Sequence, residues 1–161
     1  MPDTAYPSLA AALFLVQSAS ALFMTGLIWF VQLVHYPLFA EAGSGASLQR
    51  YEKLHARRTG ALVFPPMLLE LLSALAALYP PLRPAFVSWP SAIVLASLVV
   101  LIWLSTGLIQ VRLHEQLDRP LTPEQALRTI RLLVRTNWIR TVAWTIRSAL
   151  LLGLLWNALG R

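Results

Sequence analysis

The chain has 161 residues, of which 57% are hydrophobic and 12% charged, with a formal net charge of +6 and no cysteine. A soluble domain carries roughly twice that charged fraction, which sets a soluble globular fold aside, and the missing thiols exclude disulfides, thiol redox chemistry and thiolate metal sites. No nucleic-acid motif accompanies the basic excess, so it reads as membrane topology and contact with anionic headgroups, not nucleic-acid binding.

About 20 apolar residues cross a hydrocarbon core, and four stretches are that long. The first runs from Leu9 to Val34, with Gln17 and Gln32 its most polar members. It lacks a basic leading region and exceeds the roughly 7–15 apolar residues of a signal peptide, so it is expected to be a retained helix. Gly43, Ser44 and Gly45 then mark a turn. The second helix is expected from Ser47 to Tyr79, with Arg50 to Thr59 as a polar first section and Glu70 the one charge beyond it. Pro65 and Pro66 lie inside it, and their missing amide donors predict a kink. Pro80, Pro81, Pro84 and Pro90 stiffen the next connection, and Ala85 to Val111 forms a third span without a charge. Thr122, Pro123 and Gln125 read as a capped helix start, with proline at the first helical position. The last helix then reaches Leu159, about 55 Å long, with Arg140 and Arg147 within its span.

The fold class expected is therefore all-α: one integral membrane domain over residues 1–161, a transmembrane four-helix bundle with short loops and a long last helix. The helices are placed over residues 9–36, 47–79, 85–115 and 123–159. Arg50, Lys53, Arg57 and Arg58 flank the first connection, and Arg112, Arg119, Arg128, Arg131 and Arg135 the third. Only Arg83 and Arg161 stand on the other side. The positive-inside rule then puts both termini outside and the basic connections in the cytoplasm, as in a bacterial inner membrane.

Each helix carries a stripe at three-to-four spacing, so its members share a face. The stripes are Thr25, Trp29, Gln32 and His35 or Tyr36; Glu52, His55, Thr59, Pro66 and Glu70; Trp103, Thr106, Gln110 and His114; and Asn137, Arg140, Trp144 and Arg147. Aromatic residues at this spacing are usually packing or interfacial anchors, but the amides and arginines among them favour a polar interior. His35, His55 and His114 all fall near the inner membrane level, where histidine serves as a general acid–base or as a metal ligand. Glu52 and His55 have the spacing used in di-metal carboxylate bundles, although no second such pair follows. These three histidines are the candidate catalytic groups and metal ligands, with iron, copper, haem or no cofactor left open. Asn137, Arg140, Trp144, Glu70 and Arg147 are the candidate substrate-binding residues, and Glu115 and Asp118 read as solvated loop charges. Glu70 and Arg147 each lie nine residues inward of an aromatic anchor, Tyr79 or Trp156. They should share a depth and pair between parallel neighbouring helices, either as a lock or as the deep end of a pocket.

Thr25-Gly26-Leu27-Ile28-Trp29-Phe30-Val31 followed by Tyr36-Pro37 resembles the first helix of the anthrone oxygenase-like membrane proteins. Asn137-Trp138-Ile139-Arg140-Thr141 resembles the Asn-x-x-Arg-Thr entry to that family's last helix; a tryptophan expected about four residues earlier is Leu133 here. The resemblance implies oxygenation of polycyclic phenolic substrates. With the polar stripes, it leads to the expectation of a membrane-embedded oxidoreductase, an oxygenase in its sharpest form, acting on an apolar aromatic or quinone-like molecule in an inward-opening pocket. The alternative is a non-enzymatic small-molecule carrier or a structural subunit of a membrane complex. The partners expected are the lipid bilayer and an apolar small molecule, with oligomerisation left open.

Overall fold

A computed structural model describes residues 6–39, 41 and 45–160, and every long element in it is helical. The four helices are Pro7–Phe39, Ala46–Ala76, Trp89–Leu117 and Pro123–Leu159, each long and apolar enough to cross a membrane. The protein is an all-α integral membrane protein. The turn expected at Gly43 and Ser44 lies outside the described residues. Gly45 has φ +66°, a conformation that glycine adopts freely, and leads into the second helix.

The boundaries follow from proline chemistry. The second helix ends at Ala76, not at Tyr79, and Tyr79 is extended (φ −86°, ψ 117°), as a residue before proline prefers to be. The third helix starts at Trp89, not at Ala85. Pro90 is tolerated only in a first turn, and the Ser88 hydroxyl caps that turn by accepting from the Ser91 amide at 3.3 Å. The second helix continues through Pro65 and Pro66 without a break.

The fourth helix opens on the expected capping box. The Thr122 hydroxyl accepts from the Gln125 amide at 3.3 Å, and the Gln125 side chain accepts from the Thr122 amide at 3.0 Å. Thr122→Ala should lower stability by about 1 kcal/mol, read as a small fall in the melting temperature of the detergent-solubilised protein.

Packing runs in sequence around the bundle: the first helix against the second and fourth, and the third against the second and fourth. The second and fourth therefore stand diagonally across it. Large apolar side chains such as Leu33, Phe30, Leu104 and Trp156 face outward, while Gln17, Gln32, Glu52, Glu70, Gln110, Asn137 and Arg147 are buried. This inverted pattern fits a lipid solvent, in which outward apolar groups cost nothing and polar groups must find partners inside.

Candidate functional site

Two helices widen where the polar residues gather. In the first, the Tyr36 amide reaches back five residues to the Val31 carbonyl; in the third, the Val111 amide reaches the Thr106 carbonyl in the same way. Such π turns add a residue to one turn, so the residues after them rotate by about 100° relative to an unbroken helix. Gln32 lies within the first, and Tyr36, immediately after it, faces the bundle centre at 2% exposure. Thr106 and Gln110 bracket the second, and His114 follows one turn later.

Four side chains from four helices then form a chain. Glu52 Oε1 lies 2.7 Å from His114 Nδ1, and His114 Nε2 lies 3.1 Å from the Tyr36 hydroxyl. Arg140 Nη2 donates to that same hydroxyl oxygen at 3.3 Å. Glu52 is 1% exposed, and a carboxylate there accepts a proton on Nδ1. Nε2 is then the bare nitrogen, and Tyr36 O–H donates to it. The order carboxylate, imidazole, hydroxyl is that of an oriented base beside a proton donor.

Arg140 is held from behind. Its Nε donates to Asn137 Oδ1 at 2.9 Å, its Nη2 donates to the same oxygen, and its Nη1 donates to Thr106 Oγ1 at 3.4 Å. Asn137 Nδ2 in turn donates to Gln32 Oε1 at 2.8 Å, and Gln32 Nε2 donates to the Val134 carbonyl at 3.2 Å. The Asn-x-x-Arg spacing thus places an amide one turn below a guanidinium to fix its plane.

The three histidines come together, but not as a ligand set. His35 Nε2 and His55 Nδ1 face each other at 2.9 Å, and the Thr59 hydroxyl lies 3.1 Å from the same Nδ1. The rings of His55 and His114 are 5.3 Å apart. Among the described residues no group of three or more histidine or carboxylate side chains is placed to hold an ion. The physical reason lies in the hydrogen bonds. The His35 and His55 nitrogens point at one another and do not converge on a common point, and both His114 nitrogens are committed to Glu52 and Tyr36. The expectation of a metal at His35, His55 and His114 gains no support from this arrangement of the described residues.

Glu70 and Arg147 do meet, both fully buried. Arg147 donates Nε to Glu70 Oε1, Nη1 to the Leu95 carbonyl and Nη2 to Gln17 Oε1 at 3.0 Å. Trp144 Nε1 donates to Glu70 Oε2 at 3.0 Å. Their helices are diagonal partners and not the neighbours expected, so the long arginine and the indole reach across the bundle axis to make the contact.

A cavity of about 860 Å³ occupies the half of the bundle nearer the two basic connections. Its walls include Met24, Ile28, Val63, Met67 and Trp144, and its polar edge is formed by Tyr36, Glu52, His55, His114 and Arg140. His35, Asn137, Glu70 and Arg147 are not on this wall. His35 stands behind His55, Asn137 behind Arg140, and the Glu70–Arg147 pair beyond Trp144. Of the predicted substrate-binding residues, Arg140 and Trp144 alone line the cavity. Sequence reasoning places Tyr36, Glu52 and Gln110 on polar stripes and weighs Glu52 only as a metal ligand beside His55, so none of the three is among the predicted site residues. Three lining residues keep a buried polar atom without a partner among the described residues: Glu52 Oε2, Gln110 Oε1 and Trp103 Nε1. Unmade bonds of this kind are unfavourable and mark a place where a further group is accommodated. No protein-family model, curated protein or solved structure matches the chain.

Proposed function

We propose that this protein is a membrane-embedded oxidoreductase, an oxygenase of an apolar aromatic or quinone-like substrate bound in the cavity, with the basic end of the bundle facing the cytoplasm. The observation that carries this reading is the Glu52–His114–Tyr36–Arg140 chain on the edge of an otherwise apolar chamber. Its size suits a tricyclic molecule, since small-molecule pockets fall at roughly 300–1,000 Å³. The resemblance of the Asn137 to Thr141 segment to the anthrone oxygenase-like proteins supports the same class.

In this mechanism Glu52 fixes the His114 tautomer, so that Nε2 accepts the Tyr36 proton. The Tyr36 oxygen, its charge held by Arg140, removes a proton from the substrate's phenol or its benzylic carbon. Arginine suits that place because it stays charged at any relevant pH. The electron-rich substrate anion is then oxidised by dioxygen, the co-substrate. A methylene between two aromatic rings becomes a carbonyl; one oxygen atom enters the product and the other leaves as water. Trp144 and the apolar wall hold the rings, and the unpaired atoms of Gln110 and Trp103 offer an acceptor and a donor to substrate oxygens.

The test is oxygen uptake by the purified protein in nanodiscs given a dihydroxyanthrone. We expect one dioxygen consumed per substrate, well above the spontaneous rate. Binding of the anthrone without uptake above that background would contradict the oxygenase and favour the carrier or structural-subunit reading.

A further inference from the structure

On the side formed by the second and third helices, two lips of residues that line the cavity are also exposed on the outer surface. On the second helix the outer lining residues are Lys53, Ala56, Gly60 and Phe64; on the antiparallel third they are Asp118, Glu115, Val111 and Gly107. The slot is closed at both ends. At the basic end Lys53 Nζ lies 3.6 Å from Asp118 Oδ1, and at the deep end the rings of Phe64 and Trp103 meet edge to face at 6.0 Å. Lys53 to Phe64 spans eleven helical residues, about 16 Å. Between these closures the lips carry Ala56, Gly60 and Gly107 beside Val111 and, nearer the basic end, Glu115, and a Cβ added at Gly60 or Gly107 would meet nothing within 4 Å. Around the slot the surface is apolar: Phe64 is 54% exposed, Val111 45%, Leu104 52% and Leu108 54%.

We infer that this slot is a lateral portal, through which a lipid-dissolved amphiphile passes from the bilayer into the cavity without crossing water. Small residues on facing lips let the cavity reach the helix surface where bulky side chains at the same positions would wall it off. The ion pair bounds the aqueous end, so a ligand enters rings first from the leaflet and meets His55, His114 and Glu52 with its polar edge. The inference rests on the reading that a small molecule occupies the cavity, but the exposure of the lips to lipid does not depend on what chemistry follows.

The chain's lack of cysteine allows a direct test. Gly60→Cys and Gly107→Cys each carry a nitroxide label, are reconstituted in vesicles, and are compared by power saturation with dioxygen, which partitions into lipid, and with a water-soluble nickel chelate. We expect both labels to be relaxed by oxygen and shielded from nickel, like a label at Leu104→Cys and unlike one at Gln116→Cys. Access to nickel at either glycine position, or to neither agent, would overturn the portal. As a second arm, an anthraquinone dissolved in the vesicles should quench fluorescence of the cavity tryptophans. Gly60→Leu with Gly107→Leu should slow that quenching at least tenfold while leaving the melting temperature unchanged. An unchanged rate overturns the portal, whereas a lipid-exposed slot with no quenching in the unmodified protein counts against cavity occupancy instead.

Discussion

Glu70→Gln is expected to lower stability by roughly 3–5 kcal/mol, the range found when one partner of a buried ion pair is removed. Both side chains are fully buried, and Glu70 accepts from two directions: Arg147 Nε at one oxygen and Trp144 Nε1 at the other. A glutamine keeps one acceptor and turns its amide donor against either the guanidinium or the indole, each of which is itself a donor. Arg147 loses its carboxylate partner, and the Leu95 carbonyl and Gln17 Oε1 that remain are neutral. Adding Arg147→Met removes the stranded charge, so the double variant should recover about half of the loss. Denaturation in detergent measures both. Strictly additive losses would mean that the two residues are not energetically coupled, whatever their distance.

Tyr36→Phe is expected to lower turnover by about 10²–10³-fold, within the range for losing a positioned acid–base group, with substrate binding little changed because the ring remains. His114→Asn should do the same. Because the Tyr36 hydroxyl and His114 Nε2 act on one proton at 3.1 Å, combining the two should cost little more than either alone. Glu52→Gln should fall between these and the unmodified protein, since it loosens the tautomer without removing the base. The split of kcat from KM in oxygen-uptake assays checks this. A rise in KM with kcat intact would reduce Tyr36 to a wall of the cavity.

The helices were legible because each rule involved is local. Apolar length marks the spans and Thr122 and Gln125 mark a start, whereas Pro80 and Pro90 read only as stiffening a connection, so the ends at Ala76 and Trp89 were not legible. The depth match of Glu70 and Arg147 was legible for the same reason: rise per residue along two helices is a local quantity. That their helices are diagonal was not, because the arrangement depends on which faces pack. Aromatic residues at a membrane interface look like anchors, and Tyr36 is separated from one by a π turn at Val31–His35 that no local pattern announces. The histidines show the same limit. Their shared level follows from counting residues, but the face-to-face bond of His35 and His55, which turns their nitrogens toward one another, depends on ring orientation. Gly60 and Gly107 carry no signal of their own in the sequence; the packing of their helices sets both on the wall of one cavity.

The most direct test of the proton-moving chain on the cavity edge leaves dioxygen out. Under anaerobic conditions in deuterated buffer, the protein in nanodiscs should exchange the benzylic hydrogens of a bound dihydroxyanthrone at least about 100-fold faster than empty nanodiscs, as a positioned base would, and His114→Asn should abolish the excess. Exchange no faster than in empty nanodiscs, with the anthrone shown to be bound, would contradict the account.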